Sequence, residues 1–103
     1  MKKNLYFNLF VLSFAFLLSG TATANEVFDK NCASCHAGGN NIMNPEKTLT
    51  KESLDKNGVN NLEAIKALVA KGNGPMPAFS ASLDAGEIES VAAYVLEQAN
   101  KGW

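Results

Sequence analysis

Apolar residues recur at the period of an amphipathic helix in two places along the chain and run together without a period in a third. Ile88, Val91, Ala92, Val95 and Leu96 stand at i, i+3, i+4, i+7 and i+8 behind Asp84 and Glu87, whose spacing of three is that of a capping pair. This is the clearest helix. Leu62, Ile65, Leu68 and Val69 repeat the pattern between the capping pair Asn60 and Glu63 and the stop at Gly72. A short helix is predicted from the cap Thr50, with Glu52 in its first turn, to Gly58. A further helix-compatible segment runs from Val27 to Cys35 and ends at Gly38-Gly39-Asn40-Asn41, which is turn chemistry. Nothing in the mature chain reads convincingly as a strand. Gly72 to Phe79 holds two prolines and two glycines, which excludes both helix and ladder and leaves a loop. One small all-α domain is the expectation.

The run without a period lies at the start. Lys2 and Lys3 precede Leu5 to Leu18, apolar except at Asn8 and Ser13, and small residues follow from Ser19 to Ala24. About 14 apolar residues are short of the roughly 20 that a bilayer-spanning helix needs. Charged start, apolar centre and the small-x-small triplet Ala22-Thr23-Ala24 read as a secretory signal over residues 1–24, with residues 25–103 as the mature domain. Gly20-Thr21-Ala22 fits the same cleavage rule. The alternative is a retained anchor helix.

Removing that segment changes the composition. The formal charge is -1 for all 103 residues, with nine lysines and no arginine. It falls to -3 for residues 25–103, because two lysines and no acid leave. This balance excludes a basic, phosphate-seeking nucleic-acid binder. Four of the six phenylalanines leave as well, so the mature aromatics are Phe28, Phe79, Tyr94 and Trp103. A chain of this size with so few large apolar residues needs a metal, a cofactor or disulfides to complete its interior.

Cys32-Ala33-Ser34-Cys35-His36 names the filler. Cys-x-x-Cys-His is the attachment pattern for c-type haem: thiols three apart on a helical turn can each add to one vinyl group, and the adjacent imidazole faces the iron. His36 is the only histidine in the sequence. A soft sixth ligand must come from a distant loop, and the mature thioethers are Met43 and Met76. Met76 is preferred, because Pro75 and Pro77 restrict its backbone and Met43 follows His36 too closely. Ordinary gap filling is the bland reading of Met76.

Other uses of the two cysteines fit less well. A thioredoxin-type dithiol belongs at a helix start in a strand-rich fold. A disulfide closing so small a loop would constrain the unfolded chain little. Zinc needs a fourth ligand and normally draws on separated pairs. A peroxidase or gas sensor needs an open sixth position, and a peroxidase a distal base, for which there is no second histidine.

The segments Cys32 to Asn41, Pro45-Glu46-Lys47-Thr48-Leu49, Met76-Pro77-Ala78-Phe79, Ala93-Tyr94-Val95 and Lys101-Gly102-Trp103 together resemble cytochrome c6, and the likeness covers essentially all of residues 25–103. The resemblance implies a four-helix class I cytochrome c fold around one covalent haem c, held by Cys32 and Cys35, with His36 and Met76 as axial ligands. It implies a monomeric one-electron carrier rather than an enzyme, without a membrane span in the mature protein. It also implies a place in the thylakoid lumen, with the periplasm as alternative. The expected donor is cytochrome f of the cytochrome b6f complex and the expected acceptor photosystem I; a terminal oxidase is a further acceptor of some members.

Three positions depart from the family pattern. Leu68 replaces a Gln close to the haem, which lowers the polarity around the iron and points to a lower-potential variant as the alternative. Ser82 stands where many members carry an Arg used in docking to photosystem I. Ala24 aligns with a Gly of the first helix, so cleavage after Gly20 or Ala22 would leave that helix longer. The exit for the electron is expected at the haem edge, ringed by Ala37, Pro77 and Ala78.

Overall fold

The computed structural model describes residues 23–103. Residues 1–22, which carry nearly all of the expected signal, lie outside the described residues. Among the described residues five α-helices follow one another: α1 Ala24–Asn31, α2 Ala33–His36, α3 Lys51–Lys56, α4 Leu62–Lys71 and α5 Ala85–Lys101, with a 3₁₀ turn at Ala37–Gly39. Among the described residues the only β pairing is the isolated bridge between Asn73 and Met76.

Four of these helices begin where a short polar side chain can replace the missing carbonyl partner of the first turn; α2, which starts after Cys32, has no such cap. Thr23 and Glu26 form a reciprocal capping box at α1, as Asp84 and Glu87 do at α5. Thr50 accepts from the Ser53 amide at α3. At α4 the cap is Asn61, which accepts from the Ala64 amide at 2.8 Å, one residue later than the Asn60/Glu63 pair predicts. Asn60 turns away and donates to Asp55 Oδ1 at 2.6 Å, tying the approach to α4 back to α3. Thr23 and Ala24, counted with the signal above, are the cap and first residue of α1.

The first helical segment is also divided. Its backbone breaks at Cys32 (φ -120°, ψ -30°), which caps both pieces while Cys35 lies within the second, and the four expected helices become five among the described residues.

The core is a line of small and branched residues along α5, with Val91, Ala92, Val95 and Ala99 meeting Val27 and Phe28 of α1 and Ile65 and Val69 of α4. α5 is thus the central strut, packed by both α1 and α4, with α3 near one end. The small residue Ala92 is fully buried, as close approach of helices requires. Lys66 of α4 spans the α4–α5 groove to Glu89 at 3.2 Å and also meets Glu63 at 3.5 Å. Hydrogen bonding to Glu89, and then the Glu63 charge, raise its pKa; so exposed a bridge adds little to stability. Among the described residues, no helix is long and apolar enough to cross a membrane.

Candidate functional site

The site has two walls, one from the α1–α2 corner and one from the loop between α4 and α5. At the corner, the Cys32 carbonyl accepts from the amides of both Cys35 (3.2 Å) and His36 (3.0 Å), which folds the two sulfurs and the imidazole onto one turn. Both thiols are free and half-buried. Burial pushes the Cys32 thiol up to about 11, because a thiolate there would lose its water. As a thioether the same sulfur has no proton to lose, so its burial costs no ionisation.

His36 Nδ1 lies 2.9 Å from the carbonyl oxygen of Asn40. A carbonyl can only accept, so Nδ1 carries a proton, which leaves Nε2 as the ring atom available to a metal. Among the described residues no group of three or more His, Cys, Asp or Glu side chains converges as a metal cage would require.

The second wall is built from backbone. Gly72 ends α4 with φ +74° and donates to the Leu68 carbonyl at 2.8 Å. Asn73 and Met76 then exchange both backbone hydrogen bonds, at 3.0 and 3.1 Å, across Gly74-Pro75. Beyond Pro77, the Phe79 and Ser80 amides donate to Val69 and Ala70, carbonyls that the last turn of a helix leaves without internal partners. Gly72 is required here for space as well as for its dihedral. A Cβ on it would meet the Met76 carbonyl at 2.6 Å and the Ala78 amide at 2.8 Å.

Between the walls lies a cavity of about 650 Å³, bordered by Cys32, Cys35 and His36 on one side and Met76 on the other. This is within the size of pockets that hold an organic cofactor. Leu68 borders it too, as do Phe28 and Phe79, so a flat apolar body meets apolar walls and the residues present fit a haem. Met43 also lines the cavity but is 62 % exposed, whereas Met76 packs half-buried against the core with its backbone paired on both sides. Ala37, Pro77 and Ala78, expected at the edge, are all exposed. Ser82 is exposed as well, on the loop into α5.

Two participants escape sequence reasoning. The Asn40 carbonyl orients His36, and a backbone oxygen leaves no trace in residue type. Lys47 borders the cavity; in the sequence it is one of many scattered lysines.

Comparison with known proteins accords with this geometry. The family described as cytochrome C oxidase, cbb3-type, subunit III matches residues 20–95. Cytochrome c6 of Microcystis aeruginosa is 57 % identical over 77 residues, 75 % of this chain and 95 % of that protein. The crystal structure of cytochrome c6 from the diatom Phaeodactylum tricornutum superposes with a TM-score of 0.76 at 48 % identity, covering 78 % of this chain and 94 % of the other. Cytochrome c6C from Synechococcus sp. PCC 7002 gives 0.75 at 40 % identity, covering 78 % and 98 %. With the class I cytochrome c architecture and the Cys-x-x-Cys-His corner opening onto one apolar cavity, these likenesses show that the chain belongs to the cytochrome c6 family of electron-transfer proteins, not to an enzyme family.

Proposed function

We propose that the chain carries single electrons from cytochrome f of the cytochrome b6f complex to photosystem I, using one haem c attached through Cys32 and Cys35 and ligated by His36 and Met76. The observation that carries this reading is that all four residues border one cavity, although the cysteine corner and Met76 stand some forty residues apart in sequence. When bound, the haem supplies an iron that alternates between ferrous and ferric forms.

The chain's own residues set how readily it does so. His36, its Nδ1–H held by Asn40, would offer Nε2 in a fixed direction. Met76 would offer a thioether, which favours ferrous iron more than a second imidazole does and so raises the reduction potential. Phe28 and Phe79 on the cavity wall would keep water from the iron, which pushes the same way. Lys47, on the border of the cavity, would be available to pair with an anionic group of the haem. Because the Met76 loop is bonded to α4 through backbone amides, neither ligand needs to move between redox states. Electrons would pass at the exposed edge beside Ala37, Pro77 and Ala78.

The same reading places the protein in the thylakoid lumen after loss of a signal peptide. A cut after Ala22 would keep the Thr23–Glu26 capping box whole, whereas a cut after Ala24 removes its threonine. A second reading, a lower-potential c6-like carrier or a periplasmic donor to a terminal oxidase, is favoured by Leu68, an aliphatic side chain on the cavity wall. A redox titration of the haem-loaded protein against cytochrome f from the same source separates the two. A midpoint near or above the donor's supports delivery to photosystem I, and a clearly lower one rejects it for the second reading.

A further inference from the structure

Trp103 lies beyond the end of α5, and its indole closes a loop that begins beside the site. The loop's neck is Gly39 and Leu49, where the Leu49 amide donates to the Gly39 carbonyl at 2.7 Å. Trp103 touches both sides of that neck. Its Nε1–H donates to the Leu49 carbonyl at 2.8 Å. Its ring lies against Gly39 so closely that a Cβ there would come within 2.4 Å of two indole carbons. Phe28 of α1 and Tyr94 of α5 hold the indole in turn, with ring centroids at 5.3 and 6.2 Å. The first residue past the neck is Asn40, and its carbonyl is the acceptor of the His36 Nδ1–H.

We propose that Trp103 is a positioning residue for the His36 imidazole: by pinning Gly39 to Leu49 it fixes the Asn40 carbonyl, and through it the direction and basicity of Nε2. The proposal rests on the reading of His36 as the haem ligand. Gly38 and Gly39 both have positive φ, +65° and +80°, and glycine has no side chain to restrict it, so the path to Asn40 is set by outside contacts. Beyond Asn40 the loop is held by the Ile42 amide donating to the Cys35 carbonyl at 3.1 Å, by Asn41 Nδ2–H to the Lys47 carbonyl and by Ser53 Oγ–H to the Glu46 carbonyl at 3.5 Å, so Trp103 acts on the stretch before Asn40, where the two glycines lie. A firm bond from Nδ1–H makes the imidazole a stronger donor, which favours ferric iron; a loosened one favours ferrous iron and raises the midpoint.

The test uses the haem-loaded protein and follows exchange of the His36 Nδ1 proton by NMR in the ferrous state, together with the midpoint potential. Trp103→Phe keeps a ring and deletes the donor to Leu49; Trp103→Leu deletes both contacts. Ile88→Ala is the stability control, since Ile88 is buried and borders neither the cavity nor the loop neck. At matched global stability, Trp103→Leu is expected to speed this exchange about tenfold relative to Ile88→Ala, because the opening is local rather than global. Trp103→Phe should fall between, and the midpoint should rise in the same order. Equal exchange and equal midpoints in the Trp103 variants and the control overturn the proposal, and Trp103→Phe alone decides it if Trp103→Leu does not take up haem. A wild-type spectrum in which the His36 ring shows no haem-shifted resonances removes the ligand reading itself, a failure visible before any variant is compared.

Discussion

The loop after His36 and the loop around Met76 flank the same cavity, yet they are held by different means. The Met76 loop is fastened through its backbone, to itself across Gly74-Pro75 and to the end carbonyls of α4 at Val69 and Ala70. The loop from Gly39 to Leu49 has backbone bonds too, Leu49 to Gly39 and Ile42 to Cys35, but adds side-chain fasteners, Asn41 within it and Ser53 and Trp103 from outside. Backbone fastening depends on dihedral angles, so its weak points are the glycine and prolines that permit them. Side-chain fastening depends on particular groups from remote segments, so its weak points lie far away in sequence.

The comparison breaks most completely at the covalent corner. With both Cys32→Ala and Cys35→Ala, the core of Val, Ala and Ile residues lacks its central body, and the chain is expected to lose cooperative folding and to release haem on denaturing gels. Circular dichroism and haem staining check this. Met76→Leu is milder, because the loop's bonds are backbone bonds that survive the change. The visible spectrum should shift to that of a five-coordinate or water-ligated iron and the midpoint should fall, while the stability loss stays within about 1–3 kcal/mol in denaturant titration.

Gly72→Ala attacks the backbone fastening directly. The new Cβ meets the Met76 carbonyl, and the residue must hold a positive φ, so a loss of roughly 1–3 kcal/mol is expected together with weakened Met76 ligation. The near-infrared sulfur-to-iron band reports the ligation apart from stability. Leu68→Gln leaves both loops intact and should raise the midpoint modestly, with a stability change of about 1 kcal/mol or less, since the side chain is only half-buried on the cavity wall. Smallest of all is Lys66→Ala, which removes an exposed bridge remote from both loops and should leave stability nearly unchanged in denaturant titration, without moving the midpoint.

Legibility in the sequence follows the same division. α5 could be read because its cap, its apolar period and its end lie within one contiguous stretch, and Asp84 and Glu87 form the predicted box. α4 was legible except at its start: with Asn60 and Asn61 adjacent, spacing favours the first, and only the bond from Asn60 to Asp55 in three dimensions frees the second to cap. The break at Cys32 carries no glycine or proline to announce it. Cys32, Cys35, His36 and Met76 were legible as residues. Met76 could be preferred to Met43 from its flanking prolines, but the gathering of the four residues around one cavity depends on amide-to-carbonyl bonds between the Met76 loop and α4 that residue types do not encode.

The indole of Trp103 has a consequence for observation as well as for packing. It is the only tryptophan in the sequence, and it rests against Phe28, itself a wall of the cavity. A porphyrin in that cavity would absorb the light the indole emits, so the native protein should be almost dark and brighten as the neck of the loop opens. Emission would then time the release of that neck while the haem's own absorption times the loss of Met76, giving the two sides of the site separate clocks.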